Sequence, residues 1–389
     1  WARVEVEAEV IGAINHGLMV LLGAGEGDTD SDVDYLVNKV VHLRIFEDDD
    51  HNMNRSLLDV GGGSGIIVRG GRVVMTWGDQ AKRYDLKSTT KSIGVTALGL
   101  AIDDGLLDLD DAAQEHHPRF CEDTEMANRE WVGEVTLRNL ATQTAGFEKP
   151  GGYSPLVFEP ETEWFYSDCG PNWLAECVTL AYGRDLSDVM FERVFTPIGI
   201  TPVDLVWREN AYRPHEIDGI KRREFGSGIH ADTDAMARIG LLYLRGGRWG
   251  DEQLLASSFV DLARTTDPSV ADLPVHEGDP HGGAPAHYGL LRWNNADGTL
   301  AGVPRDAYWS WGLHDSLIVV IPSLDLVIAR AGSDWSREWS GHYDVLRPFL
   351  EPICAAVRTA SPQADAPYPP SEAILGLGWA PQQQIVRRA

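Results

Sequence analysis

Hydrophobic positions along the chain fall into runs of different period, and each period points to an element. Val4 and Val6 alternate with polar residues, and the apolar VIGAINHGLMVLLGAG comes next; together they read as two strands joined by a turn. Helical spacing takes over at Val33, Leu36, Val37, Val40 and Val41, opened by Asp28-Thr29-Asp30, where Thr29 or Asp30 can cap the first turn. HLRIF and NMNRSLLDV follow, ending in Gly61-Gly62-Gly63-Ser64-Gly65. IIVRGGRVVMTWGDQ, residues 66–80, reads as a hairpin turning at Arg69-Gly70-Gly71-Arg72. A lone hairpin is marginal, so these strands belong in a larger sheet.

Helices dominate the middle of the chain. The small and apolar stretch after Ser88 predicts a buried helix closing at Asp103-Asp104-Gly105, with Gly105 as its C′ residue. LLDLDDAAQEHHP continues into a second short element, and residues 135–146, VTLRNLATQTAG, into a helix ending at Gly146. A Pro- and Gly-rich loop, FEKPGGYSPLVFEPETEW, precedes an apolar helix that runs to Gly183. DLSDVMFERVFTPIGI reads as a helix stopped by Pro197. Residues 226–246 predict an amphipathic helix capped by Asp232 or Asp234, and 252–264 another. Strands return over 288–332: YGLLRWNN, then SLIVVIP and LDLVIARAG as antiparallel neighbours turning at Pro322-Ser323. A helix from about 341 to 358 closes the fold, and the Pro-rich residues 361–389 are expected to lie over the surface or act as a linker.

Composition narrows the function classes. With 389 residues and 43% hydrophobic positions the chain supports a sizeable core in one large domain or two. A formal charge of −26 argues against a nucleic-acid or anionic-membrane surface, because both require Lys and Arg against phosphates. No apolar run reaches the ~18 residues of a membrane span. The start, WARVEVEAEV, carries acids where a signal peptide has a basic region, so a cytoplasmic location is expected. The acidic run Glu47-Asp48-Asp49-Asp50 reads as a solvated turn. Cys121, Cys169, Cys177 and Cys354 show no CxxC pairing and read as buried free thiols; the histidines form no HExxH. Neither a metal nor an organic cofactor is expected.

The candidate chemistry begins at Ser88-Thr89-Thr90-Lys91. Residues three apart on a helix share a face, so Ser88 and Lys91 point the same way, as a serine nucleophile with an adjacent amine requires. Alone, this spacing is also that of ordinary surface helices.

Two resemblances add to this reading. GLMVLLGAGEGDTDSDVDYLVNKVVHLRIFEDDDHNMNRSLLDVGG resembles the first part of a D-aminoacyl-tRNA deacylase, over about residues 1–62. That family's Ser-Gln-Phe-Thr and Gly-Pro motifs do not occur here, so residues 1–62 resemble a grafted α/β fragment, with residues 63–65 of GGGSG as a linker. From about 66 to 358 the chain resembles the serine β-lactamase and penicillin-binding-protein superfamily, in its class C β-lactamase-like branch with the family VIII carboxylesterases. The residues carrying it are GIIVRGGRVVMTWGD, KSTTKSIGVTALGLAIDDGLLDLDD, VTLRNLATQTAGF, FEPETEWFYSDCGPNWLAECV, LSDVMFERVFTPIGI, GSGIHADTDAMARIGLLYLRGG and SLIVVIPSLDLVIARAG, in the family's order. The resemblance implies an α/β (α+β) fold, an antiparallel sheet flanked by helices plus a mostly helical lobe, over residues 66–360, with 361–389 as a tail.

It also implies roles. Ser88 would be the acylating nucleophile, Lys91 would help deprotonate it, and Tyr166 would shuttle protons as the tyrosine of a Tyr-x-Asn motif. The third motif, counted back from Pro322, falls on Ser310-Trp311-Gly312 with Leu313 next. The oxyanion would then be held by the Ser88 N–H and one near Leu313; losing one such donor costs about 100- to 1000-fold.

Two departures bear on substrate. Asp168 stands where the family has Asn, so an acceptor-only carboxylate replaces an amide and favours a protonated Lys91, leaving Tyr166 more of the base role. Ser310 replaces the motif's Lys or His, so the pocket is expected to lack a cation, with Trp309, Trp311 and Tyr308 as aromatic walls and His314 against the substrate. The implied function is an acyl-enzyme serine hydrolase, a carboxylesterase on small neutral esters. The rivals are a β-lactamase, D,D-peptidase or amidase, and a catalytically inactive penicillin-binding-like scaffold. A homodimer through residues 1–62 is expected, because strand edges of a truncated domain favour pairing.

Overall fold

Antiparallel pairing builds the frame that carries the site. The structure, a computed structural model, describes residues 63–334 and 341–357 in full, residue 29, and the backbone of 2–6, 9–14, 46–47 and 53–55. Two compact units divide the chain, Trp1–Gly63 and Ser64–Ala389. In the first, Ala2–Val6 pairs antiparallel with Glu9–Ile14, and Phe46–Glu47 with Met53–Arg55. The helix expected from Asp28 and the tail 361–389 lie outside the described residues.

The second unit is organised on a six-stranded sheet. Its strands are β1 (Ser64–Arg69), β2 (Arg72–Trp77), β3 (Trp293–Asn294), β4 (Tyr308–Gly312), β5 (Ser316–Ile321) and β6 (Leu326–Ala331), in the order β3-β4-β5-β6-β1-β2, every pair antiparallel. The β1–β2 turn uses Gly70 and Gly71 at φ 57° and 70°, the left-handed pair that a tight hairpin needs. The expected linker reduces to Gly63: Ser64 and Gly65 are strand, paired to Ala331 and Arg330. Gly65 has its own packing reason, since a Cβ there would lie 2.0 Å from the Trp77 indole.

Helix α1 (Thr89–Asp103) runs between this sheet and the helical lobe. It contacts β4 on one side and α3 (Cys169–Tyr182) on the other, so residues Thr89 to Ala101 are all buried. A helix enclosed all round must be apolar or small all round, as this one is. Gly94 is required by contact, because a Cβ would meet the Phe225 ring at 2.5 Å. Helix α2 (Leu137–Thr142) packs on α3, opening with a Thr136–Asn139 capping box. It stops before the expected Gly146 because Gln143 turns left-handed, at φ 69°. Helix α4 (Thr233–Leu244), capped by Asp232 through the Ala235 N–H at 2.8 Å, covers β1, β5 and β6. The expected helix over 252–264 is shorter, Ser257–Arg264, because Glu252–Gln253 pairs with Arg248–Trp249 instead. The first expected strand of 288–332 is likewise trimmed, to β3, and helix α5 (Arg347–Ala356) closes the described chain. All four cysteines are buried free thiols, as expected. Among the described residues no helix is long and apolar enough to cross a membrane.

Candidate active site

Ser88 sits at the N-terminus of α1, partly exposed, while the helix behind it is buried. The turn before it is left-handed: Lys87 has φ 50°, and the Asp85 carboxylate accepts its N–H at 3.1 Å. Backbone conformations of this kind cost of order 1–3 kcal/mol and persist only where their surroundings hold them. One turn on, the Lys91 ammonium donates to Ser88 Oγ at 3.1 Å and to the Gly226 carbonyl at 3.0 Å, and forms an ion pair with Asp168. Tyr166 faces the same pair: its ring centroid lies 4.9 Å from the Lys91 ammonium, and the charge of Lys91 and the Ser88 hydroxyl both act on its phenol. Four side chains from two distant segments therefore meet on one oxygen, Ser88 Oγ, and its immediate partners.

The supports are buried amides that carry no motif signature. Gln143 clamps the Tyr166 loop through its amide, accepting the Ser167 N–H at 2.9 Å and donating to the Ser167 carbonyl at 3.0 Å. Asn172 accepts the Gly226 N–H at 2.8 Å, which fixes the carbonyl that binds Lys91, and donates to the Gly151 carbonyl at 2.8 Å. Trp293 stacks beside Tyr166 with ring centroids 5.7 Å apart. Asp168 stands at the start of α3, but its side chain makes no cap hydrogen bond and turns to Lys91 instead.

Electrostatics set the proton positions. Burial alone would lower the Lys91 pKa, but the Asp168 carboxylate and the Tyr166 oxygen outweigh it and hold the pKa above the usual lysine value. Burial raises the Tyr166 pKa, Lys91 opposes that shift and Asp168 adds to it. At neutral pH the resting site thus holds an ammonium and a neutral phenol. His281, beside Tyr166 at 5.2 Å between ring centroids, is pulled down to about 4 by burial and is neutral there.

Ser88, Tyr166, Asp168 and His281 line a cavity of about 280 Å³, together with Asp85, Lys87, Lys149, Arg208, Tyr212, Trp293, Trp311 and Leu313, while Lys91 lies buried behind Ser88. Of the expected site residues, the structure brings Ser88, Lys91, Tyr166, Asp168, Trp311 and Leu313 together. Gly312 seals the seam between β4 and the start of α1: a Cβ would lie 2.2 Å from the Leu86 carbonyl and 2.9 Å from the Thr89 nitrogen.

Four expected pocket residues are elsewhere, the first being Tyr308, which is buried and donates its hydroxyl to the Tyr243 carbonyl at 3.1 Å. Ser310 is fully buried on the opposite face of β4, accepting the Ile318 N–H at 2.9 Å and the Thr89 hydroxyl at 3.2 Å. Strand alternation explains the correction: Trp311, one residue on, points into the cavity. Trp309 shares the Trp311 face but lies deeper, fully buried against Tyr343 at 5.1 Å and paired with Trp293. His314 turns away at φ 66° and bonds Asp334 at 2.8 Å; it does not line the cavity. The expectation that the pocket lacks a cation also fails. Lys87, Lys149 and Arg208 all line it, contributed by segments outside the third-motif strand.

Among the described residues one group has metal-ligand spacing, Asp111, Glu115 and His116, but none of these lines the cavity and His116 is bonded to Asp111 at 2.7 Å.

Comparison with known proteins places these features. The family model for D-Tyr-tRNA(Tyr) deacylase matches residues 1–69. A D-aminoacyl-tRNA deacylase of Halalkalibacterium halodurans is 56% identical over 61 residues, 16% of this chain and 42% of that protein. The chain thus spans less than half the length of the deacylases it matches. Among solved structures, a beta-lactamase from Mycobacterium bovis superposes with a TM-score of 0.55 at 19% identity, over 77% of this chain and 97% of that one. A family VIII carboxylesterase superposes with a TM-score of 0.57 at 16% identity, over 76% and 92%. At such identities these likenesses show the fold. The family model for Beta-lactamase matches residues 53–345, more than half of the chain and all the residues gathered around Ser88. The chain belongs to the Beta-lactamase family.

Proposed function

We propose that the protein is a serine hydrolase that cleaves small carboxylic esters through an acyl-enzyme on Ser88. The observation that carries the reading is the meeting of Ser88 Oγ, the Lys91 ammonium at 3.1 Å and the Tyr166 hydroxyl over one open cavity. Ser88 Oγ attacks the ester carbonyl carbon, and its proton passes to the Tyr166–Lys91 pair in the form that has lost one proton. The oxyanion is held by the Ser88 N–H and by a donor at Leu313, where β4 abuts the start of α1. Collapse expels the alcohol oxygen, which takes the proton back. Water then gives a proton to the same pair, attacks the acyl carbon, and releases the acid and free Ser88.

Trp293, Trp311 and Tyr166 supply aromatic walls, and a cavity of about 280 Å³ suits a short acyl chain. The resemblance in fold to a family VIII carboxylesterase supports the same reading. A panel of short p-nitrophenyl esters beside nitrocefin tests the proposal. Ester turnover that disappears in Ser88→Ala is expected. Faster turnover of nitrocefin than of any ester would replace the proposal with lactam hydrolysis. Failure of a fluorophosphonate to label wild-type Ser88 would favour an inactive scaffold.

A further inference from the structure

The charged groups of the cavity do not balance. Lys87 is bonded to Asp85 at 2.6 Å. Arg208 is paired with the buried Glu224 and donates to Ser227 Oγ at 3.0 Å. Asp168 is paired with Lys91. Each of these charges has its partner inside the protein. Lys149 does not: among the described residues no carboxylate lies within ion-pairing distance of its ammonium. It stands instead 4.4 Å from the centroid of the Tyr166 ring, and Lys91 lies 4.9 Å from the same centroid.

Lys149 is exposed, yet its backbone is not free to wander. Its carbonyl accepts the Asp168 N–H at 2.9 Å. The preceding residue, Glu148, offers its carbonyl to the Ser167 hydroxyl at 2.7 Å and its N–H to the Pro155 carbonyl at 3.1 Å. The segment that presents Lys149 is therefore tied to the segment that presents Tyr166 and Asp168. Desolvation lowers the Lys149 pKa, with the charge of Lys91 acting the same way against Asp168; a bound anion would oppose both effects by favouring the ammonium.

From these contacts we infer that Lys149 is the substrate-anion receptor of this site, so that the preferred esters carry a carboxylate that pairs with its ammonium while Ser88 attacks. The inference rests on the ester-hydrolase reading and reverses its expected preference for neutral substrates. Ser88, Tyr166 and Lys149 line one cavity, so a substrate engaged at Ser88 shares that space with the Lys149 ammonium held over the Tyr166 ring. The loop takes the part that the cation-free β4 strand cannot.

The test compares kcat/KM for three esters: neutral p-nitrophenyl butyrate, mono-p-nitrophenyl glutarate with the carboxylate on the acyl side, and 3-butyryloxybenzoate with it on the alcohol side. Wild type, Lys149→Met, Lys149→Arg and Lys149→Glu are assayed at low and high salt. At least one carboxylate ester is expected to lose about 10- to 100-fold relative to the butyrate in Lys149→Met, as one charge-assisted hydrogen bond implies. The loss should be greater in Lys149→Glu, largely restored in Lys149→Arg, and smaller at high salt. Which ester responds tells on which side of the scissile bond the anion sits. A carboxylate-to-neutral ratio equal within twofold in wild type and Lys149→Met, for both carboxylate esters, overturns the inference while leaving the hydrolase reading intact.

If no ester is turned over, that reading fails separately, and binding decides the role of Lys149. 3-Carboxyphenylboronic acid should then bind wild type about tenfold or more tighter than phenylboronic acid, and Lys149→Met should lose the difference. Equal affinities in both proteins overturn it.

Discussion

Replacing Asp168 with asparagine removes the one carboxylate paired with Lys91 while keeping the shape of the side chain. Asp168 raises the pKa of both Lys91 and Tyr166, so its loss acts in one direction on whichever of them accepts the Ser88 proton. Two unit charges at a hydrogen-bonding separation of about 3 Å interact by about 5 kcal/mol at an effective dielectric constant of about 20. The Lys91 side chain is 1% exposed but that of Asp168 is 27% exposed, so solvent screens part of this and the asparagine oxygen still accepts a hydrogen bond. What remains still holds the pair toward its protonated form. In wild type the proton-deficient form of the pair is scarce at neutral pH, and kcat/KM should climb toward alkaline pH. In Asp168→Asn the acidic limb of that profile should move to lower pH, so that kcat/KM near neutral pH rises, read with a neutral p-nitrophenyl ester from pH 5 to 10. An unmoved acidic limb, with the variant folded, would refute the claim that Asp168 sets the protonation of the pair.

Three further outcomes follow from the same geometry. Tyr166→Phe should lower kcat by about 100- to 10,000-fold with little change in KM, because the ring and its stacking on Trp293 remain and only the proton-transferring hydroxyl is lost. Glu176, fully buried, accepts from Arg213 at 2.9 Å and from His117 at 2.8 Å beneath the loop whose Gly152 carbonyl Arg213 also holds. Glu176→Gln leaves that arginine uncompensated and should cost about 3–5 kcal/mol in urea denaturation. His281 binds its proton only near pH 4 in the fold but near 6.5 when unfolded, so its contribution is fully present above 6.5 and is lost as pH falls toward 4, a difference of about 3 kcal/mol. A His281→Asn variant should show a flatter stability profile than wild type across that window.

What could be read beforehand was what local spacing encodes. Ser88 and Lys91 share a helix face because they are three apart, and the all-round small and apolar sequence after them foretold a helix buried on every side. Tyr166 and Asp168 were reached through the order of motifs, which follows the order of elements. Within the third motif, spacing alone does not say which side chain faces the cavity: strand alternation turns Ser310 onto the opposite face and brings Trp311 to the site. His314 was misjudged because its left-handed backbone and its bond to Asp334 arise only after β4 has ended.

The remaining parts of the site depend on tertiary assembly. Trp293 and His281 reach Tyr166 from more than a hundred residues downstream, with no motif of their own. Gln143 and Asn172 act through backbone groups, which any sequence supplies. Lys149 sits in a Pro- and Gly-rich loop that reads only as a connection. Its place over the Tyr166 ring follows from the hydrogen bonds tying that loop to residues 167 and 168.

Hydrolysis by the proposed route passes through a covalent acyl intermediate on Ser88. Mixing the protein with a p-nitrophenyl ester, quenching in acid within the first turnovers and mapping the mass shift by peptide mass spectrometry tests it most directly. An adduct of the acyl mass is expected on the peptide that contains Ser88, absent from Ser88→Ala along with ester turnover. Continued turnover by Ser88→Ala, or an adduct carried only on another residue, would contradict it.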